Sequence, residues 1–232
     1  MKIALIGYGA MGKLIELAAI AHGHAISVIV DDCDANLTAA ELSEKIKGCD
    51  TAIDFTVASA VERNVRACTE AGVALALGTT GWNESRAEIE QIVAENTGSV
   101  VFGANFSIGV NLFYKVAEFA AEIFAKFPEY ETFIEEQHHS RKVDSPSGTA
   151  LKIKSLVEKH INKDISVAAT RAGNIPGTHR VGFDSNADQI LLEHTARSRE
   201  GFAAGSILAA EWIVGKTGFY EFGDIMDEIT GA

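Results

Sequence analysis

Basic residues are scarce in this chain. Lys and Arg number 20 against 32 Asp and Glu, a formal net charge of −12, which argues against nucleic acid as a partner, because phosphate backbones are held by clustered cations. Cysteine is rarer still, and Cys33, Cys49 and Cys68 show no CxxC spacing, so the pattern supplies neither a disulfide framework nor a zinc site. Proline occurs at only 3 positions, and no low-complexity stretch or internal repeat breaks the chain. No apolar run approaches the ~20 residues that span a bilayer. Met1 leads straight into Lys2-Ile3-Ala4-Leu5-Ile6-Gly7, which reads as a strand ending in glycine and not as a secretory signal. These absences predict a cytoplasmic globular protein without nucleic-acid or membrane partners. Its 232 residues, 47% of them hydrophobic, suffice for one large or two small domains with a substantial core.

What is present begins at the amino terminus. Residues 3–6 read as a strand and 11–22 as a helix with an apolar face, and between them lies Gly7-Tyr8-Gly9-Ala10-Met11-Gly12. This is G-x-G-x-x-G in the strand-turn-helix context that gives the pattern meaning. Gly7 makes the tight turn, Gly9 lets the backbone approach a pyrophosphate, and Gly12 lets the helix pack on the sheet. A second strand at 25–30 ends at Asp31-Asp32, about twenty residues beyond the glycines, where an acid hydrogen-bonds the adenosine ribose; Asp31 is the candidate. No arginine follows to serve the extra phosphate of NADPH, although Lys13 is available, so NADH and NADPH both stay open.

Helices at 36–47, 59–71 and 87–95 then alternate with strands at 51–56, 73–77 and 100–102, the rhythm of a parallel sheet covered on both faces. After Asn111 the rhythm changes. Leu112, Val116, Phe119 and Ile123 recur at helical spacing and predict a buried helix face. Strand patterns at 130–136, 165–169, 178–183 and 189–195 surround a helix at 147–161, which predicts a second domain with a mixed or antiparallel sheet. The final segments, 202–213 and 219–229, show no strand partners of their own. His22, His24 and His160 follow or end helices, where a histidine more often caps a carbonyl. His179 and His194 lack partners at metal-ligand spacing, and no metal is expected.

The densest chemistry lies mid-chain, in Glu135-Glu136-Gln137-His138-His139-Ser140-Arg141-Lys142-Val143-Asp144-Ser145-Pro146-Ser147-Gly148-Thr149-Ala150. A His-His pair by itself is ordinary in a surface loop, and Ser-Gly-Thr by itself is a helix cap. Joined, they say more. Pro146 biases Ser145 toward an extended backbone, and Ser147 can cap a helix running through Leu151 and Ile153. Free backbone N–H groups are therefore expected around Ser147, Gly148 and Thr149, where the positive helix end favours a carboxylate. A histidine with a lysine four residues on adds a proton donor and positive charge.

The run HHxxKxDxPSGTA, carried at residues 138–150, resembles the signature of the dihydrodipicolinate reductase family. Asp54-Phe55-Thr56, Gly78-Thr79-Thr80-Gly81 and Gly103-Ala104-Asn105-Phe106-Ser107 resemble further segments of that family, so the likeness covers nearly the whole chain. It implies an α/β protein with a Rossmann-like doubly wound parallel sheet plus an α+β substrate-binding and oligomerisation domain. Residues 1–106 and 213–232 would form the dinucleotide-binding domain, and 107–212 the substrate-binding and tetramerisation domain of a homotetramer. The implied activity is NADH- or NADPH-dependent reduction of a cyclic imine dicarboxylate in the diaminopimelate route to lysine. His138 and Lys142 would supply the proton, and His139, Ser147, Gly148 and Thr149 would hold the carboxylates. The loop from Gly7 to Gly12, with Gly78, Thr79, Thr80, Gly103, Ala104, Asn105 and Phe106, would line the cofactor. The chain departs from the family's commonest form at Glu136-Gln137, where many members carry Glu-Ala, and in its short adenosine-side loop. Two rivals are another nicotinamide-dependent imine or amino-acid dehydrogenase, which leaves the HHxxKxDxPSGT run unexplained, and a nucleotide-sensing protein without catalysis, which leaves His138 and Lys142 unexplained.

Overall fold

Apolar runs build the first sheet. Strands β1 (Lys2–Ile6), β2 (Ala25–Val30), β3 (Thr51–Asp54), β4 (Ala74–Leu77) and β5 (Ser99–Phe102) are rich in Ile, Val, Leu and Ala because a parallel sheet is covered on both faces. The computed structural model, which describes residues 1–231, pairs them all in parallel and adds a sixth strand, β10 (Gly218–Glu221), beside β5. The order is β10-β5-β4-β3-β1-β2. On one face α2 (Ala39–Ile46), α3 (Val61–Ala71) and α4 (Arg86–Glu95) bury Leu42, Val65 and Ile89 against Ile6, Leu75 and Val100. On the other, α1 (Ala10–Ala21), α7 (Glu200–Ile213) and α8 (Phe222–Thr230) bury Ile15, Ile207 and Phe222 against Ile3, Leu5 and Ile53. This is the doubly wound sheet expected from the strand-helix alternation. Among the described residues, no helix is long and apolar enough to cross a membrane.

These elements form one unit, Met1–Ile108 together with the chain from Arg199 onward, and Gly109–Ser198 form the other. The second boundary differs from the expected break at 212/213. Helix α7 packs on α1 and β4, and its small residues explain how: Ala203, Gly205, Ala209 and Ala210 are buried, and a Cβ on Gly205 would lie 1.7 Å from the carbonyl oxygen of Phe106. Strand β10 also has a partner where its pattern shows none, because a stretch of 4 residues is too short to display periodicity.

The second unit holds α5 (Ile108–Phe124), which begins at the boundary, β6 (Glu131–His138), α6 (Gly148–Glu158), β7 (Ser166–Arg171), β8 (Thr178–Asp184) and β9 (Gln189–Thr195). Its sheet runs β7-β6-β8-β9, parallel between β6 and β7 and antiparallel elsewhere, the mixed sheet that the pattern predicts. Alternate residues Ile134, Val167, Val181 and Leu192 pack with Ala117, Ala121, Ile153 and Val157 of α5 and α6; Phe133, Gly182 and Leu191 point the other way. Helix α5 overturns one expectation. Leu112, Val116, Phe119 and Ile123 are 39%, 52%, 64% and 39% exposed, whereas Val110, Phe113, Ala117 and Ala121 are buried. The helix carries two apolar stripes. The one with alanines faces the sheet, because small side chains permit close approach.

Candidate active site

In the first unit the loops beyond the strands' carboxyl ends carry the predicted residues. Gly7 has φ +93°, and a Cβ there would lie 2.4 Å from the Phe55 carbonyl oxygen; a Cβ on Gly12 would lie 2.3 Å from that of Gly7. Gly9 has no atom within 4 Å of its ideal Cβ and caps α1 without a side-chain hydrogen bond. The first turn of α1, which includes Ala10 and the half-buried Met11, therefore presents its N–H groups across bare backbone. Those donors, on a helix start with no first-turn acid, fit a dinucleotide pyrophosphate. The Tyr8 hydroxyl donates to Glu16, and Asp31 is exposed just past β2, its N–H donating to the Asp34 carboxylate at 3.2 Å.

Asp54, at the end of β3, is fully buried. It accepts hydrogen bonds from the Thr56 N–H at 2.9 Å, the Thr56 hydroxyl at 2.7 Å, the Thr79 hydroxyl at 2.9 Å and the Asn64 amide at 2.8 Å. Burial pushes its pKa up against these bonds. Asp54 thus ties the turn after β3 to the turn after β4, and the Thr79 side chain is committed to that tie, leaving Thr80 exposed. Gly78 is required by the Phe55 ring, which a Cβ would meet at 2.2 Å. Beyond β5, Gly103 is buried and Ala104 exposed, and Asn105 accepts the Ser107 N–H at 2.9 Å. The Phe106 ring is 1% exposed and packs on Phe222 at a centroid distance of 4.7 Å. Only its backbone can meet a ligand.

In the second unit, His138 is the last residue of β6 and Ser147 caps α6, its hydroxyl accepting the Ala150 N–H at 3.1 Å. His139 and Lys142 are half-buried in the loop between, Gly148 is exposed and Thr149 half-buried. The N–H groups expected to be free are in part engaged: that of Ser147 donates to Glu136 at 3.0 Å and that of Gly148 to Asp144 at 3.3 Å. Asp144 also pairs with Lys142 at 2.8 Å, and that ammonium holds its carboxyl below the usual carboxylate range. A carboxylate already rests on the lysine and on the helix start.

Three residues enter the site that the motif spacing does not single out. Glu136, with a side chain 0% exposed, receives the Arg171 guanidinium at 2.6 Å and faces His138 Nδ1 across an ion pair. Burial alone would raise its pKa, but Arg171, the Ser147 N–H and His138 together hold it below the usual range. His179 reaches the Ser147 hydroxyl at 3.2 Å, and its ring centroid lies 5.1 Å from that of His138. Burial, reinforced by His138, pushes its pKa down to about 4. Burial also lowers the His138 pKa, opposed by Glu136 and seconded by Lys142 and Arg171. Glu136, His138 and His179 have ligand atoms within 4.8 Å of one another, close enough for a metal ion. However, Arg171 already places a cation on that carboxylate and Ser147 engages His179 Nε2, so the set reads as an ionic cluster. The strand register explains its assembly: Glu136 lies opposite His179, and His138 opposite Arg171.

Comparison with known proteins bears on both units. A family model described as dihydrodipicolinate reductase, N-terminus, matches residues 1–106, and one described as dihydrodipicolinate reductase, C-terminus, matches residues 109–226. The chain is 34% identical over 241 residues to the 4-hydroxy-tetrahydrodipicolinate reductase of Christiangramia forsetii, covering 99% of each. It is 36% identical over 262 residues to that of Archaeoglobus fulgidus, covering 98% of this chain and 100% of the relative. The fold resembles that of a dipicolinate-bound dihydrodipicolinate reductase from Paenisporosarcina sp. TG-14, with a TM-score of 0.79 at 21% identity over 97% of this chain and 99% of that one.

Proposed function

This chain belongs to the dihydrodipicolinate reductase family, and from that premise we propose that it reduces 4-hydroxy-tetrahydrodipicolinate, through its dehydrated cyclic imine, to tetrahydrodipicolinate, as a cytoplasmic homotetramer on the diaminopimelate route to lysine. The observation that carries this reading is the clustering of His138, Lys142 and the capped start of α6 in a single unit, with the glycine loop at the start of α1 in the other. NADH or NADPH, when bound, supplies the hydride. The turn from Gly7 to Gly12 binds the pyrophosphate through the first N–H groups of α1, and Asp31 takes the adenosine ribose. The turns at Gly78 to Thr80 and Gly103 to Phe106 border the nicotinamide.

The second unit deals with charge. His139 and the start of α6 at Ser147, Gly148 and Thr149 hold the two substrate carboxylates, displacing the Asp144 carboxylate that now bridges Lys142 and Gly148. Hydride addition leaves an electron pair on the substrate that must take up one proton, and the His138–Lys142 pair supplies it. The overall change consumes one reduced nicotinamide and one proton per substrate molecule and releases one water, which carries away the 4-hydroxyl oxygen.

The test is loss of nicotinamide absorbance with freshly generated substrate, run with each cofactor. Consumption by the native protein is expected; no consumption with either cofactor would overturn the reading. In the same assay His138→Ala and Lys142→Ala are each expected to lower kcat by roughly a hundredfold or more, with nucleotide affinity changed less than about twofold. Native turnover in either variant would remove that residue from the assignment.

A further inference from the structure

We infer that Glu136 is a positioning residue for His138, a clamp that keeps the ring's Nδ1 protonated and turned inward and leaves Nε2 as its working edge. The inference rests on the role of His138 proposed above. A strand turns every second side chain to one face, so Glu136 and His138 of β6 project together. Glu136 Oε1 is taken by the Arg171 guanidinium at 2.6 Å and the Ser147 N–H at 3.0 Å. Its Oε2 lies against His138 Nδ1 as an ion-pair contact, and among the described residues neither of those two buried atoms has a hydrogen-bond partner. An ionised carboxylate only accepts hydrogen bonds. The contact therefore requires a proton on Nδ1, which puts the lone pair of the neutral ring, or the second proton of the charged one, on Nε2.

The surroundings agree. Gly177, at φ +131°, faces the opposite edge of the ring, where a Cβ would lie 3.2 Å from His138 Nε2 and Cδ2; glycine keeps that edge uncovered. The charged and titratable groups around the ring are Glu136 on its own strand, Arg171 on β7, His179 on β8, and Lys142 with its partner Asp144 in the following loop. Burial, Lys142 and Arg171 all disfavour the imidazolium, and the Glu136 carboxylate is the anion in direct contact that opposes them. Its charge sets the pH up to which His138 still carries a proton.

Glu136→Gln separates positioning from bulk, because the amide keeps the side chain's shape and one acceptor for Arg171 and Ser147 while turning an N–H toward His138. The readouts are the ring 15N shifts of His138, followed from pH 4 to 9, and kcat and KM over the same range. Expected are an Nδ1–H neutral tautomer in the native protein, a switch toward Nε2–H in the variant, and a midpoint moved to lower pH. With it should come a fall in kcat of roughly a hundredfold, KM for the dicarboxylate changing less than about threefold, and an alkaline limb of the kcat profile moved to lower pH. An Nε2–H tautomer in the native protein overturns the inference even if the variant does not fold, as does a variant whose midpoint and kcat match the native values. The tautomer is read without turnover, so a protein that reduces no imine would sink the functional reading and still leave the Glu136 contact to be judged.

Discussion

His179 shows how one buried side chain makes the fold sensitive to acid. It is 5% exposed, and its pKa is pushed down to about 4 by burial and by the neighbouring His138. In the unfolded chain a histidine titrates near 6.5. Between about pH 6.5 and 4 the unfolded state therefore binds a proton that the native state refuses, and stability falls as pH drops through that window. The full shift corresponds to about 3 kcal/mol at the acid end. Urea unfolding at pH 7.5, 6.0 and 4.5 is expected to show this loss, and His179→Gln, which keeps an amide near the Ser147 hydroxyl, is expected to flatten it. Parallel pH dependences for the two proteins would show that His179 does not carry the effect. The role of His179 is not visible in its own segment, because Arg171 and His179 both lie far along the chain from Glu136 and meet it only through strand register. His138, Lys142 and Ser147, by contrast, lie within ten residues, and a motif can display them.

Elements that are local in sequence are the ones that could be read from it. The strand of residues 25–30 and that of 189–195 fall where their patterns put them, and Ser147 caps α6 as its chemistry suggests. Misplaced elements depend on a partner elsewhere: the buried stripe of α5, the side taken by α7, and the pairing of β10. The loop between β2 and α2 is local too, and it bears on cofactor choice. Asp31, Asp32 and Asp34 crowd this turn, and its nearby cations are already used. Lys45 pairs with Asp34 at 2.5 Å, and Arg63 donates to the Ala35 carbonyl at 2.6 Å. Lys13 lies against Tyr8, 5.9 Å from its ring centroid. A 2′-phosphate here would face like charges at roughly 1 kcal/mol each in water-like dielectric, whereas a ribose hydroxyl would find in the proposed Asp31 contact a hydrogen-bond acceptor. NADH is expected to exceed NADPH in kcat/KM by about tenfold or more, and Asp31→Ala to narrow that ratio. Equal use of both cofactors by the native protein would refute the electrostatic argument.

At the scale of the whole molecule, the second unit leaves two apolar surfaces without cover in a single chain. One is the sheet face turned away from α5 and α6, where the Phe133 ring lies over Gly182, Leu191 is 46% exposed, and Arg180 pairs with Glu135 and Glu193 across three strands. The other is the stripe on α5, with Phe119 64% exposed. Exposed apolar patches of this kind commonly mark association surfaces. A tetramer with dihedral symmetry needs two different self-complementary interfaces, and these surfaces offer two. The sheet face is the stronger candidate, because its ion pairs fix a pattern that a two-fold axis can match against itself. Sedimentation at micromolar concentration is expected to give about four times the chain mass of 24.7 kDa. Leu191→Arg, at the apolar centre of the sheet face, is expected to reduce that mass at least by half while leaving the far-ultraviolet circular dichroism unchanged. A native monomer would rule out the assembly, and a Leu191→Arg protein that still sediments as a tetramer would move the contact off the sheet.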